Sequence, residues 1–199
     1  MKTIILLCAL CATVPNARAA DQQSAMSVCE VIARRMEFSG RMVTVRGVEV
    51  VVEGGALYAD RDCTYKLVTR GVVWPNVINL AYPNNSQSMD PNTHAPFEAD
   101  WASIERSEAA ALRAGYKLED DLKVATYVGL LLTYDNDELG RRSNAGLRVP
   151  FLLGFGQAGF GAPAQLVIRS ERDVVILHGA AKGFWKAWDP GAGVGHPGR

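Results

Sequence analysis

The sequence predicts a mainly β domain with α+β elements: a five-stranded Greek-key barrel, a helix between strands three and four, and a short N-terminal helix. Three observations carry that prediction. Residues 42–53 and 124–134 alternate apolar with polar side chains, the pattern of strands with one buried face. Between them Phe97, Trp101, Ile104, Ala111 and Leu112 recur at helical spacing. Short runs rich in Val, Ile and Leu, punctuated by Gly, Pro and Asn, fill the remainder and read as further strands and turns.

Composition sets the class. The 199 residues are 48% hydrophobic and 21% charged, values of a globular chain rather than a disordered or collagen-like one. That length suits one domain. The balance of 21 Lys and Arg against 21 Asp and Glu argues against a dedicated nucleic-acid binder, which would carry a basic excess. Small molecules, glycans and proteins remain open as partners.

Residues 1–19 read as a secretory signal peptide. Lys2 gives the positive start, residues 3–14 are apolar, and Pro15 with Asn16 breaks the run before Ala17-Arg18-Ala19. That run is too short to span a bilayer core of about 30 Å. A lipoprotein anchor would need a small residue before its cysteine, but Leu7 precedes Cys8 and Leu10 precedes Cys11. Residues 20–189 are then expected to form one OB-like domain, and residues 190–199 a disordered Gly/Pro tail. Export is expected, to periplasm or medium, with no transmembrane segment after cleavage. Cys8 and Cys11 leave with the signal, so Cys29 and Cys63 remain and are expected to pair. Such a bridge stabilises by about 4 kcal/mol in the chain-entropy model.

The elements follow in order. Ser27 and Glu30 form an S-x-x-E capping box, after which Val28, Val31, Ile32 and Met36 share one helical face up to Gly40. In the first strand Val43 and Val45 point one way, but beyond Gly47 the apolar phase moves to Val48, Val50 and Val52. A bulge at Gly47 would absorb that slip and bend the strand. Glu53-Gly54-Gly55 turns the chain into a short strand at residues 56–59. Residues 65–69 and 72–80 supply third-strand material, and residues 83–96 a surface loop. The helix at Trp101 takes Asp100 or Ser103 as its cap and ends at Gly115. In the next strand Val124, Val128, Leu130 and Leu132 face one way, and Ala125, Tyr127 and Thr133 the other. A long loop over residues 135–163 leads to last strands at 165–169 and 174–177. Five strands with a helix between the third and fourth is the order of the OB-fold.

The chain also resembles a group of uncharacterised bacterial exported proteins with an OB-fold-like domain. The resemblance rests on Val28-Cys29-Glu30-Val31, Val43-Thr44-Val45-Arg46-Gly47, Cys63, Trp74-Pro75-Asn76 and Gly154-Phe155-Gly156 through Gly159 to Pro163-Ala164-Gln165-Leu166-Val167. It covers roughly residues 27–177, and it implies fold and compartment. The Val-x-Val-x-Gly opening is similar to the first strand of nucleic-acid-binding OB domains and of small periplasmic OB proteins.

Motifs for catalysis or cofactors are weak. Gly154-Phe155-Gly156-Gln157-Ala158-Gly159 matches G-x-G-x-x-G, but the Gly and Pro that follow cannot open the helix a dinucleotide needs. It reads as a tight loop with Phe155 and Phe160 tucked onto the end of the barrel. Asp135, Asn136, Asp137 and Glu138 lack EF-hand spacing and read as a solvated turn. His94, His178 and His196 show no zinc spacing, Asp60, Asp62, Asp120 and Asp121 are ordinary turn carboxylates, and no G-x-S-x-G elbow occurs. Arg141-Arg142 alone is too little for an electrostatic footprint. No metal, cofactor or catalytic residue is assigned. An OB domain binds on the face of its second and third strands, which here offers Arg46, Tyr58, Tyr65, Lys66 and Trp74. Aromatic rings there stack on sugars or bases. The expected function is a non-catalytic binding or envelope interaction module with a small-molecule, glycan or protein ligand. The alternative is a small secreted hydrolase or other enzyme whose site assembles only in space.

Cleavage is expected after Ala19, which removes Lys2 and Arg18 and leaves a slightly acidic chain. Intact-mass measurement of the exported protein should give a chain beginning at Ala20; a retained N-terminus or an added lipid would refute it.

Overall fold

The computed structural model of the chain describes residues 24–50, 56–58, 62–69, 71–83, 95–134, 140–142, 151–155 and 161–187. The proposed signal, the turn at residues 53–55 and the tail from residue 190 lie outside them. The chain is a strand-rich α+β fold around a mixed six-stranded sheet, with few helices.

The N-terminal segment forms as its local chemistry dictates. Strand β1 (Met26–Ser27) runs into helix α1 (Val28–Ala33), where Ser27 Oγ accepts from the Glu30 N–H and the Glu30 carboxylate accepts from the Ser27 N–H at 2.8 Å. Val28, Val31 and Ile32 are buried. Arg34 then leaves helical geometry, so the short helix α2 (Arg35–Phe38) starts on a new phase. Arg35 takes the buried place expected of Met36, which is exposed. A disulfide joins Cys29 to Cys63 with Cα atoms 5.6 Å apart, tying α1 to the segment ahead of strand β4 (Leu67–Thr69).

Beside the two-residue β1, which pairs in parallel with β2, five longer strands make the main sheet: β2 (Met42–Val50), β3 (Ala56–Tyr58), β6 (Val77–Ala81), β7 (Leu122–Thr133) and β10 (Ala164–Leu177). Ladders run β2–β3, β3–β6, β6–β10 and β10–β7, and β7 pairs with β2 on its other side. Only β6–β10 is parallel among these. Residues 65–80 divide between two sheets: β4 and β5 (Val72–Trp74) form a hairpin of their own, and Pro75 separates it from β6.

Two apolar clusters occupy the two faces of the sheet. On the inner face lie Val43, Val45, Leu57, Ile78, Leu80, Ala125, Tyr127, Leu131, Leu166 and Ile168, together with α1 and Trp74. On the outer face lie Val48, Val77 and Leu122, with Ala181 and Phe184 of a helix the periodicity did not announce, α4 (Ala181–Ala187). This arrangement corrects the bulge expected at Gly47. The β2–β7 ladder runs in constant register from Met42↔Leu130 to Glu49↔Lys123, with no shift at Gly47. The valines change phase because β2 is covered on both sides, Val43 and Val45 by one cluster and Val48 by the other.

The register shifts fall in β10 instead, between Ile168 and Ser170 and between Arg172 and Val175. What reads as two strands with a polar gap is one strand of fourteen residues. The first shift turns Glu171 from the outer to the inner face, because a one-residue slip exchanges the faces. The second centres on Asp173, whose φ of 56° bends the chain back. In β7 the inner face is Lys123, Ala125, Tyr127, Gly129 and Leu131, while Val128, Leu130 and Leu132 are half-buried on the other.

Helix α3 (Trp101–Arg113) is capped by Asp100, whose carboxylate accepts from the Ser103 N–H at 3.0 Å. It buries Ser103, Ile104, Ser107 and Ala111, whereas Trp101 and Leu112 of the expected apolar stripe are exposed. Two serines lie on that face because they bond the backbone of β10, as described below. Trp101 stacks on Tyr82 with centroids 5.2 Å apart. The expected long loop contains a second hairpin, β8 (Gly140–Arg142) with β9 (Phe151–Leu153).

Gly129 sits where β7 passes between β2 and β10. A Cβ there would press on the Val167 carbonyl oxygen and lie 3.0 Å from Leu166 Cγ. Gly129→Ala is expected to destabilise by about 1–3 kcal/mol through overpacking, while exposed Leu112→Ala stays within about 0.5 kcal/mol. Urea unfolding midpoints of the two variants check this.

Candidate functional site

The most unusual chemistry lies inside the fold. Lys123, Glu171 and Tyr127 are 6%, 3% and 1% exposed. The ladders bring them together: Glu49 faces Lys123 across β2–β7, and Glu171 faces Tyr127 across β7–β10. Lys123 Nζ lies 2.6 Å from Glu49 Oε2 and 2.8 Å from Glu171 Oε1. The Tyr127 hydroxyl donates to the same Glu49 oxygen at 2.5 Å.

Electrostatics assigns each group a state. Burial disfavours the charge on Lys123, but Glu49 and Glu171 outweigh it and hold the ammonium pKa above its ordinary value. A lysine held protonated in this way is no nucleophile. Burial, then the charges of Glu49 and Glu171, raises Tyr127, so its hydroxyl remains a neutral donor. Burial also raises Glu171, against the pull of Lys123. The cluster can therefore hold and exchange a proton at Glu171, and it anchors three strands.

α3 touches this cluster through β10. The Ser107 hydroxyl donates to the Glu171 carbonyl at 3.1 Å, and the Glu171 N–H donates to Ser103 Oγ at 3.3 Å.

The sequence-predicted binding residues are dispersed. Arg46 is half-buried, and its guanidinium donates to Thr126 Oγ1 and to the Asp173 carbonyl, both at 3.0 Å, so it bridges β2, β7 and β10 on the outer face. Trp74 is 2% exposed within the inner cluster, its indole N–H donating to Thr69 Oγ1 at 2.7 Å. Tyr65 is half-buried against that cluster and hydrogen-bonds Arg35, while its neighbour Lys66 is exposed. Tyr58 pairs with Val48 and Val77 in the ladders, and its side chain lies outside the described residues. Asn76 holds the cysteine segment, donating to the Tyr65 carbonyl at 2.8 Å and to Cys63 Sγ at 3.0 Å.

Other motifs take structural places. A Cβ on Gly154 would lie 2.7 Å from the Ala162 carbonyl oxygen and 2.8 Å from the Trp74 ring. Phe155 is buried, exchanges backbone hydrogen bonds with Ala162 and stacks on Tyr134 at 4.5 Å. Phe160, Gly156, Gly159, His94, His196, Asp60 and the acidic turn at residues 135–138 lie outside the described residues, as do the side chains of Arg141 and Arg142. Asp62 and Asp120 are exposed. Asp121 is a buried carboxylate that accepts from the N–H groups of Gly179 and Lys117, each at 2.9 Å, and lies 3.1 Å from His178 Nδ1. The Gly179 hydrogen bond first, then those of Lys117 and His178, holds its pKa below the usual carboxylate range. Among the described residues no three His, Cys, Asp or Glu side chains group so as to hold a metal ion. No helix among them is long and apolar enough to cross a membrane.

Sequence reading missed Glu49, Lys123, Tyr127 and Glu171 as a unit. One signal was present: Lys123 shares strand parity with Ala125 and Tyr127, a charge on the core face of an otherwise apolar strand. Glu171 carried no such signal, because only the shift in β10 turns it inward. No protein-family model, no curated protein and no solved structure matches this chain.

Lys123→Met removes the cation and leaves two buried carboxylates, so it is expected to lower stability by about 3–5 kcal/mol. Adding Glu49→Gln and Glu171→Gln to that variant should restore most of the loss, read from chemical denaturation at pH 7. If Lys123→Met alone is neutral, the cluster is not the anchor described.

Proposed function

We propose that the chain is an exported OB-like Greek-key barrel acting as a non-catalytic binding or envelope interaction module. The observation that carries this reading is the order of the ladders. Taken from β2 through β3, β6, β10 and β7 they lead back to β2, the third and fifth strands pair in parallel, and α3 falls between the third and fourth. A disulfide supports the exported reading, and the resemblance to exported bacterial proteins agrees with it.

The interior supports binding over catalysis. Among the described residues the buried amine of Lys123 is held protonated between two carboxylates, and the buried phenol of Tyr127 is held neutral. Recognition then falls to the outside. Arg46 and Trp74 brace the frame, which leaves Tyr65 and Lys66 beside the bridge to meet a glycan, protein or small-molecule ligand. The near-neutral charge argues against a nucleic acid.

A small exported hydrolase is the second reading, and Asp121 with His178 favours it. A buried, ionised carboxylate beside an exposed imidazole is the orienting half of many acid–base sites. A thermal-shift screen against glycans, peptides, nucleotides and metals separates the two. The binding reading expects a glycan, peptide or other small organic ligand to raise the Tm, Lys66→Glu to diminish that rise, and His178→Ala to leave it unchanged. Ester or glycoside turnover that His178→Ala abolishes would replace it with the hydrolase.

A further inference from the structure

The buried cluster does not balance its charge. Glu49 and Glu171 present two carboxylates to the single ammonium of Lys123, which is the one cation paired with either among the described residues. Among the described residues, the other groups that face it from the packed elements add no positive charge. These are Tyr127 on β7, Tyr82 just beyond β6, Glu108 on α3 and Tyr116 just beyond α3. Burial, then the carboxylates, pushes Tyr82 up to about 12, so it stays neutral near pH 7. Arg46 and Arg172 align with Thr126 in the ladders, on the opposite face of the sheet. With both carboxylates ionised the cluster therefore carries one negative charge more than its lysine compensates, a costly state in a medium of low polarity.

We propose that the Glu49–Lys123–Glu171 cluster is a proton-operated seam between β10 and α3, in which Glu171 takes up one proton as the pH falls and the seam closes. Glu171 is placed for this because its backbone and side chain serve different partners. Its N–H and C=O are clasped by Ser103 and Ser107 of α3, while its carboxylate meets Lys123. The left-handed Asp173 lies two residues further on, where β10 already departs from regular pairing. A charged Glu171 gains water only if this seam loosens; a protonated one leaves the cluster neutral and the seam shut.

The linkage has a definite sign. Burial holds Glu171 above its ordinary value of 4.5, so the folded chain binds this proton more tightly than the unfolded chain does. Stability from this group is then complete below about pH 4.5 and is lost as the pH rises through the folded value. Lys123 keeps its charge throughout that window, since the carboxylates outweigh burial and raise its pKa.

Two measurements on the wild-type chain test the seam. Carboxyl 13C NMR should show Glu171 titrating above the ordinary glutamate range. Amide hydrogen exchange, corrected for intrinsic rates, should show protection at Glu171 and along the buried face of α3 falling by about tenfold for each pKa unit of that shift. In Glu171→Gln the protection should lose its pH dependence. Titration of Glu171 at or below the ordinary range, or an elevated titration at Glu49 instead, would overturn the proposal, and so would an unchanged exchange profile in the glutamine variant. If that variant does not fold, the wild-type titration and exchange decide alone.

Discussion

A lysine ammonium within the sheet is tolerable only where carboxylates meet it, and much of this fold can be understood as the means of bringing them there. Glu49 arrives because β2 pairs with β7 without interruption, so that residue 49 keeps the inward parity of Val43 and Val45. Glu171 arrives for the opposite reason, since β10 breaks its register once between Ile168 and Ser170 and exchanges its faces. Tyr127 then donates to Glu49 from the strand between them. One regular ladder and one irregular ladder thus converge on a single charge.

The sequence foretold the elements better than their faces. Ser27 and Glu30 announced the first helix by local chemistry alone, and Gly115 with Asp100, one of two caps the sequence offers, bounded the long one, because caps act over three or four residues. The order of strands and helix was legible for the same reason, as each alternating run is a local pattern. The phase change at Gly47 was also real, but its cause lay far away. A second apolar cluster with α4 covers Val48, and nothing within β2 distinguishes that from a bulge. In β10 the run Ser170-Glu171-Arg172-Asp173 looked like a gap because polar residues rarely line a core. They belong in the strand because α3 serines bond the Glu171 backbone and Lys123 pairs with its carboxylate, while the Asp173 carbonyl takes a hydrogen bond from Arg46. Trp74, an attractive aromatic when seen alone, is claimed by Thr69 and the inner cluster. Candidate site residues depend on such distant partners, so they were the least legible part of the chain.

The two sides of the sheet divide the labour of stability. The inner cluster mixes aliphatic packing with the charged group, whereas the outer one is aliphatic and aromatic and is closed by α4 and Phe155. Burying a Val, Leu or Ile side chain contributes about 1.5–3 kcal/mol, and this non-directional term leaves alignment loosely specified. The ion pairs and the serine clasps are directional. They select one register among those that hydrophobic burial would accept.

Gly129 bears on the same question of alignment from the standpoint of assembly. The space beside the Val167 carbonyl admits a hydrogen and excludes a methyl group. A β7 displaced by one residue along β10 would bring Val128 or Leu130 to that carbonyl, and a displacement of two would bring Tyr127 or Leu131. Each of those side chains collides there, whichever face it was meant for. The absence of a side chain at one position therefore favours a single alignment of β7 on β10, the one that sets a glycine beside that carbonyl.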